Sequence, residues 1–321
     1  MRVCLVVLED FPGSENRVQR QAAALSEAGH DVRIYAASGR STQSTWRGVQ
    51  IERSPLRREK VSSTGARLRE YGLFPLHVLR WVSRCRSWPT DVVQVANPPD
   101  WLALAAHYGD RRAKSVLDIH DVMPELAIAQ DRSRTTVRAL EFLEGLSVRT
   151  ANLVITTSPY MRDALASRHG VHAEIVLNGV DESVFTRREP EFRALRSAHV
   201  KLVYHGTLSE RFGLGTLLRA LATLNGHGTE ASLDIYGDGD ARSSLEQMTD
   251  SLGLRGAVTF HGQVPSEELP RDLPQYDIGV IPYEDSPFIR TAYSMKAFEY
   301  AALGIPVVAS DLRTIRDQLR G

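Results

Sequence analysis

Cysteine is nearly missing from this chain of 321 residues, which holds only Cys4, in an apolar run, and Cys85, in a basic segment. Two thiols so placed give neither a metal-ligand spacing nor a disulfide framework, so the fold must rest on its core and a reducing cytosol is the expected compartment. No apolar run reaches the length that crosses a bilayer, and Met1–Leu8 gives way to Glu9-Asp10 before a signal-peptide core can form. An excess of one charge is missing too. The 39 Lys plus Arg balance 39 Asp plus Glu, which removes the overall field that a nucleic-acid partner would need. Neither a low-complexity segment nor a short-period repeat is evident, which excludes a solenoid. What is present is an ordinary apolar fraction of 42% in a chain long enough for two domains with their own cores.

Short apolar runs alternate with helical patterns: Val3–Leu8, Arg17–Ala28, Val32–Ala36, then Val92–Val95, Ser115–Ile119, Leu153–Thr157 and Glu174–Leu177. Continuous apolar strands joined by amphipathic helices need cover on both sheet faces, so this half reads as a doubly wound α/β domain. Ligands in such sheets bind outside the carboxyl ends of strands, which singles out the loops at Glu9–Glu15, Asn97–Asp100, His120–Glu125, Ser158 and Asn178–Asp181. A charged interval at Asp181–Ala198 precedes a second series of strands, at Leu202–His205, Ser232–Tyr236, Val258–Phe260, Ile278–Pro282 and Ile305–Ala309. The linker is expected near residues 182–198, dividing the chain into domains 1–185 and 186–321. Glycines fall at the strand ends of the second series, at Gly206, Gly237, Gly239, Gly262 and Gly304, where a ligand can approach the backbone.

The stretch Ser294–Asp311 carries the clearest chemistry. Ser294 can cap a helix whose first turn holds Lys296, with Glu299 three residues on and on nearly the same face. A helix start offers unpaired N–H groups to an anion, Lys296 adds a full charge, and Glu299 can accept two vicinal hydroxyl protons: a site for a diphosphate and a ribose. Gly304 ends the helix and Ile305–Ala309 reads as a parallel strand. Segment Arg53–Arg86 stands apart, with nine Lys or Arg against two Glu interleaved with Leu68, Leu73, Phe74, Leu76, Val78, Leu79, Trp81 and Val82. It is a basic amphipathic patch, able either to lie on an anionic membrane face or to pack its apolar side into the parent domain.

Ser294, Lys296, Glu299, Gly304, Pro306 and Asp311 on a helix-turn-strand resemble the donor site of the retaining glycosyltransferases of family 4. Five further matches run in order along almost the whole chain. They are Asp10–Arg20 with Ala28–Val32; Asp118-Ile-His-Asp-Val-Met-Pro-Glu125; Leu177-Asn-Gly-Val-Asp181; Tyr204-His-Gly-Thr207; and Tyr236-Gly-Asp-Gly239. The resemblance implies a GT-B fold, two Rossmann-like domains facing across a cleft, with acceptor on the first and nucleoside diphosphate sugar on the second. It implies transfer of a sugar to an acceptor hydroxyl in cell-surface glycan, glycolipid or glycoconjugate synthesis, with retention by front-face attack, at the cytoplasmic side, in one reading on the inner membrane face.

Residue by residue, the resemblance places His120 on the transferred sugar and Asp121 beside it, orienting His120 or taking the acceptor proton. Gly13, Ser14, Thr207, Arg211 and Lys296 would meet the diphosphate, Gly237, Asp238 and Glu299 the nucleoside and ribose, and Ser294 the donor sugar. No cofactor or metal is expected, since Arg211 and Lys296 would neutralise the diphosphate. Three positions depart from the pattern. Thr207 and Phe212 stand where the family commonly has basic residues, and Thr291 stands where many members carry the first of two glutamates. Glu284 and Asp285 are alternative sugar contacts. Each assignment also has a plainer counterpart: a surface salt bridge for Lys296, an exposed helix-start arginine for Arg211, a local cap for His120 and a bare strand-to-helix turn for Gly13-Ser14. The family pattern usually continues past residue 321, so a partner-dependent or inactive nucleotide-sugar-binding subunit stays open beside the transferase, and a GT-B sugar epimerase fits less well.

Overall fold

The computed structural model describes residues 1–12, 16–39, 42–56, 64–84, 88–182, 184–187 and 199–320. These fall into two compact units, Met1–Leu177 and Asn178–Gly321. The division lies ahead of the 185/186 boundary expected from sequence because Val180, Val184 and Phe185 pack into the core of the second unit.

The first unit runs β1 (Arg2–Val7), α1 (Asn16–Glu27), β2 (Asp31–Ala37), β3 (Gln43–Trp46), β4 (Val49–Ser54), α2 (Thr64–Arg84) and β5 (Val92–Ala96). It continues with α3 (Leu102–Gly109), β6 (Lys114–Ile119), α4 (Met123–Ala129), α5 (Arg134–Thr150), β7 (Leu153–Thr156), α6 (Pro159–His169) and β8 (Glu174–Ile175). Its sheet has the order β3-β4-β2-β1-β5-β6-β7-β8, parallel except for the β3–β4 pair. Alternate residues of β1 explain the unbroken apolar run: Val3, Leu5 and Val7 face Val18 and Ala22 of α1. Cys4 and Val6 face Phe74, Val78 and Val82 of α2 and Leu102 of α3. The β3–β4 hairpin was not foreseen. Its sequence is polar, and it closes on Arg47-Gly48, both at positive φ (48° and 81°), the geometry that matches strand twist in a two-residue turn.

The second unit runs β9 (His199–His205), α7 (Leu214–Gly226), β10 (Glu230–Tyr236), α8 (Arg242–Ser251), β11 (Val258–Gly262), α9 (Leu269–Asp272), β12 (Ile278–Ile281), α10 (Met295–Ala302), β13 (Val307–Ala309) and α11 (Arg313–Arg320). All five strands are parallel, in the order β11-β10-β9-β12-β13. Strand order reverses beside β1 in the first sheet and beside β9 in the second. Both units are therefore doubly wound, and the carboxyl ends of β1/β5 and β9/β12 mark their switch points.

Helix α2 settles how the basic segment is built. Phe74, Val78, Trp81 and Val82 are buried in the first unit, while Leu73, Leu76, Arg80 and Arg84 stay exposed. A groove of about 400 Å³ beside it is lined by Tyr35, Arg53, His77, Arg80, Trp81 and Arg84 among others. Arg57 and Arg58 lie outside the described residues. No helix among the described residues is long and apolar enough to cross a membrane.

Candidate functional site

The carboxyl ends of β9, β10 and β12 hold the second unit's site. After β9 the chain turns at Gly206, φ +124°, and after β10 at Gly237, φ +143°. The two loops close on one another: Gly206 N–H donates to the Tyr236 carbonyl (2.8 Å), and Leu208 N–H to the Asp238 carbonyl (3.0 Å). A Cβ on Gly237 would sit 1.9 Å from the Gly206 oxygen, and one on Gly239 2.2 Å from the Leu208 oxygen. Glycine is thus required here by backbone packing as well as by φ. The Asp238 side chain accepts from Gly239 N–H at 2.8 Å and is otherwise directed outward, at 55% exposure, 3.9 Å from the Arg242 guanidinium.

Helix α10 brings in Lys296, whose ammonium is the centre of the site. Lys296 is buried, its Nζ donating to the Tyr283 hydroxyl at 3.0 Å. Three rings surround that nitrogen, those of Tyr204, Tyr283 and Phe212 at 4.9, 5.2 and 5.4 Å from centroid. Such faces stabilise a cation through the ring quadrupole. The amine also lies against Gly206, where an added Cβ would meet Nζ at 2.8 Å. Among the described residues no carboxylate comes within 4.0 Å of Nζ. Burial opposes its charge, but the oxygens of Tyr204 and Tyr283 and the field of Glu299 outweigh it and hold the pKa above the ordinary lysine value. Burial in turn pushes the Tyr204 hydroxyl up to about 12, against the pull of Lys296.

Glu299, one turn on, lies 3.4 Å from Nε2 of His205. Burial first, and Lys296 second, lower the His205 pKa to about 3, so this contact is not an ion pair at neutral pH. A neutral imidazole there stacks edge-on against Tyr300 (5.0 Å). Arg211 is half-buried, its guanidinium 4.9 Å from the Phe212 ring centroid and 5.4 Å from that of Phe288, and its buried Nε has no hydrogen-bond partner among the described residues. Thr207 is exposed and its carbonyl accepts from the Tyr204 hydroxyl at 2.9 Å.

Ser294 occupies the N-cap position of α10 but its hydroxyl makes no cap bond. The hydroxyl pairs instead with Tyr283 (3.1 Å), while the Ser294 backbone is gripped by Gln318 of α11: N–H to Oε1 at 2.7 Å and C=O from Nε2 at 3.0 Å. Gly304, φ +66°, ends the helix as expected.

In the first unit, His120 and Asp121 follow β6 at the sheet's carboxyl edge, both half-buried, with Nδ1 of His120 shielded from solvent. Helix α4 then begins, and its Glu125 is bound by Arg168, which also bonds Glu144 at 2.5 Å; His169 Nε2 meets Glu144 at 2.7 Å. Burial raises the Glu125 carboxyl above its ordinary value, though Arg168 pulls it back. Asp118 at the end of β6 pairs with Arg17 of α1 at 2.8 Å, both buried. Gly13 and Ser14 lie outside the described residues.

The structure therefore groups Thr207, Lys296 and Glu299 in one place, with Arg211 reaching it through Phe212 and with Gly237 and Asp238 on the adjoining loop. His120 and Asp121 share a loop of the other unit. Sequence reasoning missed Tyr204, Phe212, Tyr283 and His205. Tyr204 lies in β9 two residues before Gly206, and Phe212 in a short turn just before Gly213; Tyr283 follows β12 in a loop read only for its acids.

Residues 12–184 match the family model described as Glycosyltransferase Family 4, and residues 199–321 match Glycosyl transferases group 1. An uncharacterised glycosyltransferase, MJ1607 of Methanocaldococcus jannaschii, is 29% identical over 54% of this chain, a match spanning 46% of its own length. The phosphatidyl-myo-inositol mannosyltransferase of Propionibacterium freudenreichii subsp. shermanii is 26% identical over 99% of this chain and 79% of its own. Among solved structures, sucrose-phosphate synthase from Thermosynechococcus elongatus superposes with a TM-score of 0.74 at 19% identity, over 97% of this chain and 81% of that one. Anabaena HepE, solved with UDP and glucose, gives 0.68 at 17%, over 99% and 82%. These likenesses establish the GT-B architecture of two Rossmann-like units. With its first unit matched over more than half of the chain, the protein belongs to glycosyltransferase family 4.

Proposed function

We propose that this chain transfers a glycosyl group from a nucleoside diphosphate sugar to an acceptor hydroxyl, with retention of configuration, in glycolipid or other cell-surface glycan synthesis. The observation that carries the reading is the Lys296 ammonium, buried among three aromatic faces against the Gly206 backbone with no carboxylate at 4.0 Å among the described residues. Among the described residues no carboxylate touches the ammonium, so an anionic ligand can make a charge-assisted contact there that the protein does not already supply.

A leaving diphosphate gains negative charge as the glycosidic bond breaks, so a preorganised cation stabilises the transition state more than the ground state. Lys296, the Thr207 hydroxyl and Arg211, whose Nε awaits an acceptor, are the diphosphate ligands in this reading. Together they replace a metal ion. Glu299 accepts from the ribose hydroxyls, Gly237 and Asp238 border the nucleoside, and Ser294 faces the sugar. His120 touches the transferred sugar and Asp121 orients it, while the departing phosphate oxygen takes the acceptor proton in front-face attack; in the alternative, Asp121 takes that proton itself. The mannosyltransferases among the relatives that act on phosphatidylinositol lipids support an anionic lipid acceptor; in this reading it is met at the inner membrane face by the basic face of α2.

Calorimetry with UDP, GDP, ADP and TDP, then turnover of the matching sugar donors with and without phosphatidylinositol vesicles, tests the reading. Binding of one nucleotide, release of it from its sugar donor and an α-linked product from an α-linked donor are expected. A folded protein that binds none of the four refutes it.

A further inference from the structure

The ladder between β5 and β6 ends with Asn97 N–H donating to the Asp118 carbonyl at 3.0 Å. Beyond that point the Asn97 side chain takes over. Its Oδ1 accepts from the backbone N–H of His120 (2.9 Å) and of Asp121 (3.3 Å), and its Nδ2 donates to the Asp121 carbonyl (2.5 Å) and to Oδ1 of Asp100 (2.8 Å). An asparagine amide has two donors and two acceptor lone pairs, so this one is fully used. Asn97 and Asp100 are both 2% exposed, which leaves water no room to stand in for either. Asp100, an acceptor on one side only, also decides which way the amide faces: turned over, its nitrogen would meet two N–H groups and its oxygen a carboxylate.

We propose that Asn97, oriented by Asp100, is the positioning residue for the His120–Asp121 loop, extending the sheet by a side chain so that the loop stands at a fixed height above the carboxyl edge. The assignment rests on the reading that this loop meets the transferred sugar. From the other side the loop leads straight into α4, whose Glu125 is bound by Arg168. In this reading His120 and Asp121 carry the chemistry, and Asn97 holds their backbone directly. Asn97 touches no substrate, so its loss should reach turnover through the loop and leave nucleotide binding, assigned to the second unit, alone.

The test uses the full chain and three variants: Asn97→Ala, Asn97→Asp and the exchanged pair Asn97→Asp with Asp100→Asn. Hydrogen exchange reads the clamp without any substrate. In Asn97→Ala the amides of His120 and Asp121 should exchange at least about tenfold faster while those of β6 keep their rates. Nucleotide release from UDP-glucose or GDP-mannose, whichever the wild type uses, should fall at least about tenfold in kcat with the donor KM unchanged. Asn97→Asp sets two carboxylates together and should behave as badly. The exchanged pair restores an acceptor for both amides and a donor between positions 97 and 100, though not the donor to the Asp121 carbonyl, and should recover part of the protection and rate that Asn97→Asp loses. Unchanged exchange in Asn97→Ala overturns the proposal, as does equal loss of nucleotide affinity and turnover. If Asn97→Ala does not fold, an exchanged pair no better than Asn97→Asp overturns it. A wild type that turns over no donor counts against the transferase reading, whereas the exchange result still decides the clamp.

Discussion

Lys296→Met separates the stability of the second unit from its ligand affinity. Methionine matches the length of the lysine stem and keeps the apolar contacts, so the substitution removes little beyond the ammonium. In the ligand-free protein that ammonium has one hydrogen bond, to Tyr283, and three ring faces. The bond is worth about 1 kcal/mol and each face about 0.5–1, which together with the field of Glu299 offset a desolvation penalty of several kcal/mol for a buried ion. The melting temperature should therefore stay within about 4 °C of wild type. Affinity should fall. A charge-assisted bond to a phosphate contributes about 1.5–3 kcal/mol, so the preferred nucleoside diphosphate should bind roughly 10- to 150-fold more weakly. Calorimetric titration with UDP and GDP, and melting curves on the same samples, give both numbers. A folded Lys296→Met protein that binds within about twofold of wild type refutes the diphosphate assignment, and a fall in melting temperature beyond about 5 °C would show that the ammonium is chiefly a structural contact.

Two further predictions concern backbone and protonation. Gly237→Ala places a Cβ 1.9 Å from the Gly206 oxygen at φ +143°, whereas Gly253→Ala meets nothing within 4 Å at φ +71°. The first should cost about 3 kcal/mol or more and the second about 1–2, read from urea midpoints; equal costs would mean that the loops do not interlock. Burial, then Glu144 and Asp121, raise Asp100 from the ordinary 3.8 to about 7, with Asn97 and His120 pulling back. A raised carboxyl binds its proton more tightly folded than unfolded, so its contribution is complete below about pH 4 and is lost as pH rises through about 7. The ceiling is about 4 kcal/mol, at 1.36 per pKa unit over that gap. Unfolding free energies of wild type and Asp100→Asn at pH 5 and pH 8 should differ mainly at pH 8, where the variant is the more stable; parallel pH profiles would contradict this.

Much of the architecture was legible because it is written in local patterns. The central strands of both sheets announce themselves as apolar runs, since they bury both faces, whereas the polar β3–β4 hairpin gives no such signal; Gly206 and Gly237 mark strand ends at φ values that favour glycine. Lys296 and Glu299 were legible as neighbours on one helix face. What surrounds them was not, because Tyr204, Phe212 and Tyr283 come from three separate segments that meet only when β9 and β12 pair. Phe212 was read as a gap where a cation should be; in the structure its ring helps to enclose the cation that α10 supplies. Ser294 is the N-cap by position, yet its hydroxyl turns to Tyr283 and caps no first-turn amide, while Gln318, 24 positions on, holds its backbone. The Asn97 clamp was invisible for the same reason, since nothing local couples residue 97 to residues 120 and 121.

The Gln318 grip has a mechanical consequence. By offering Oε1 to the Ser294 N–H and Nε2 to its carbonyl, Gln318 imitates the edge of a neighbouring strand, and the freed hydroxyl turns to Tyr283, which holds the Lys296 ammonium. Three contacts in series thus connect α11 to the charge at the heart of the site, and the last helix works as a set-screw: a small shift of its register retunes where the cation points.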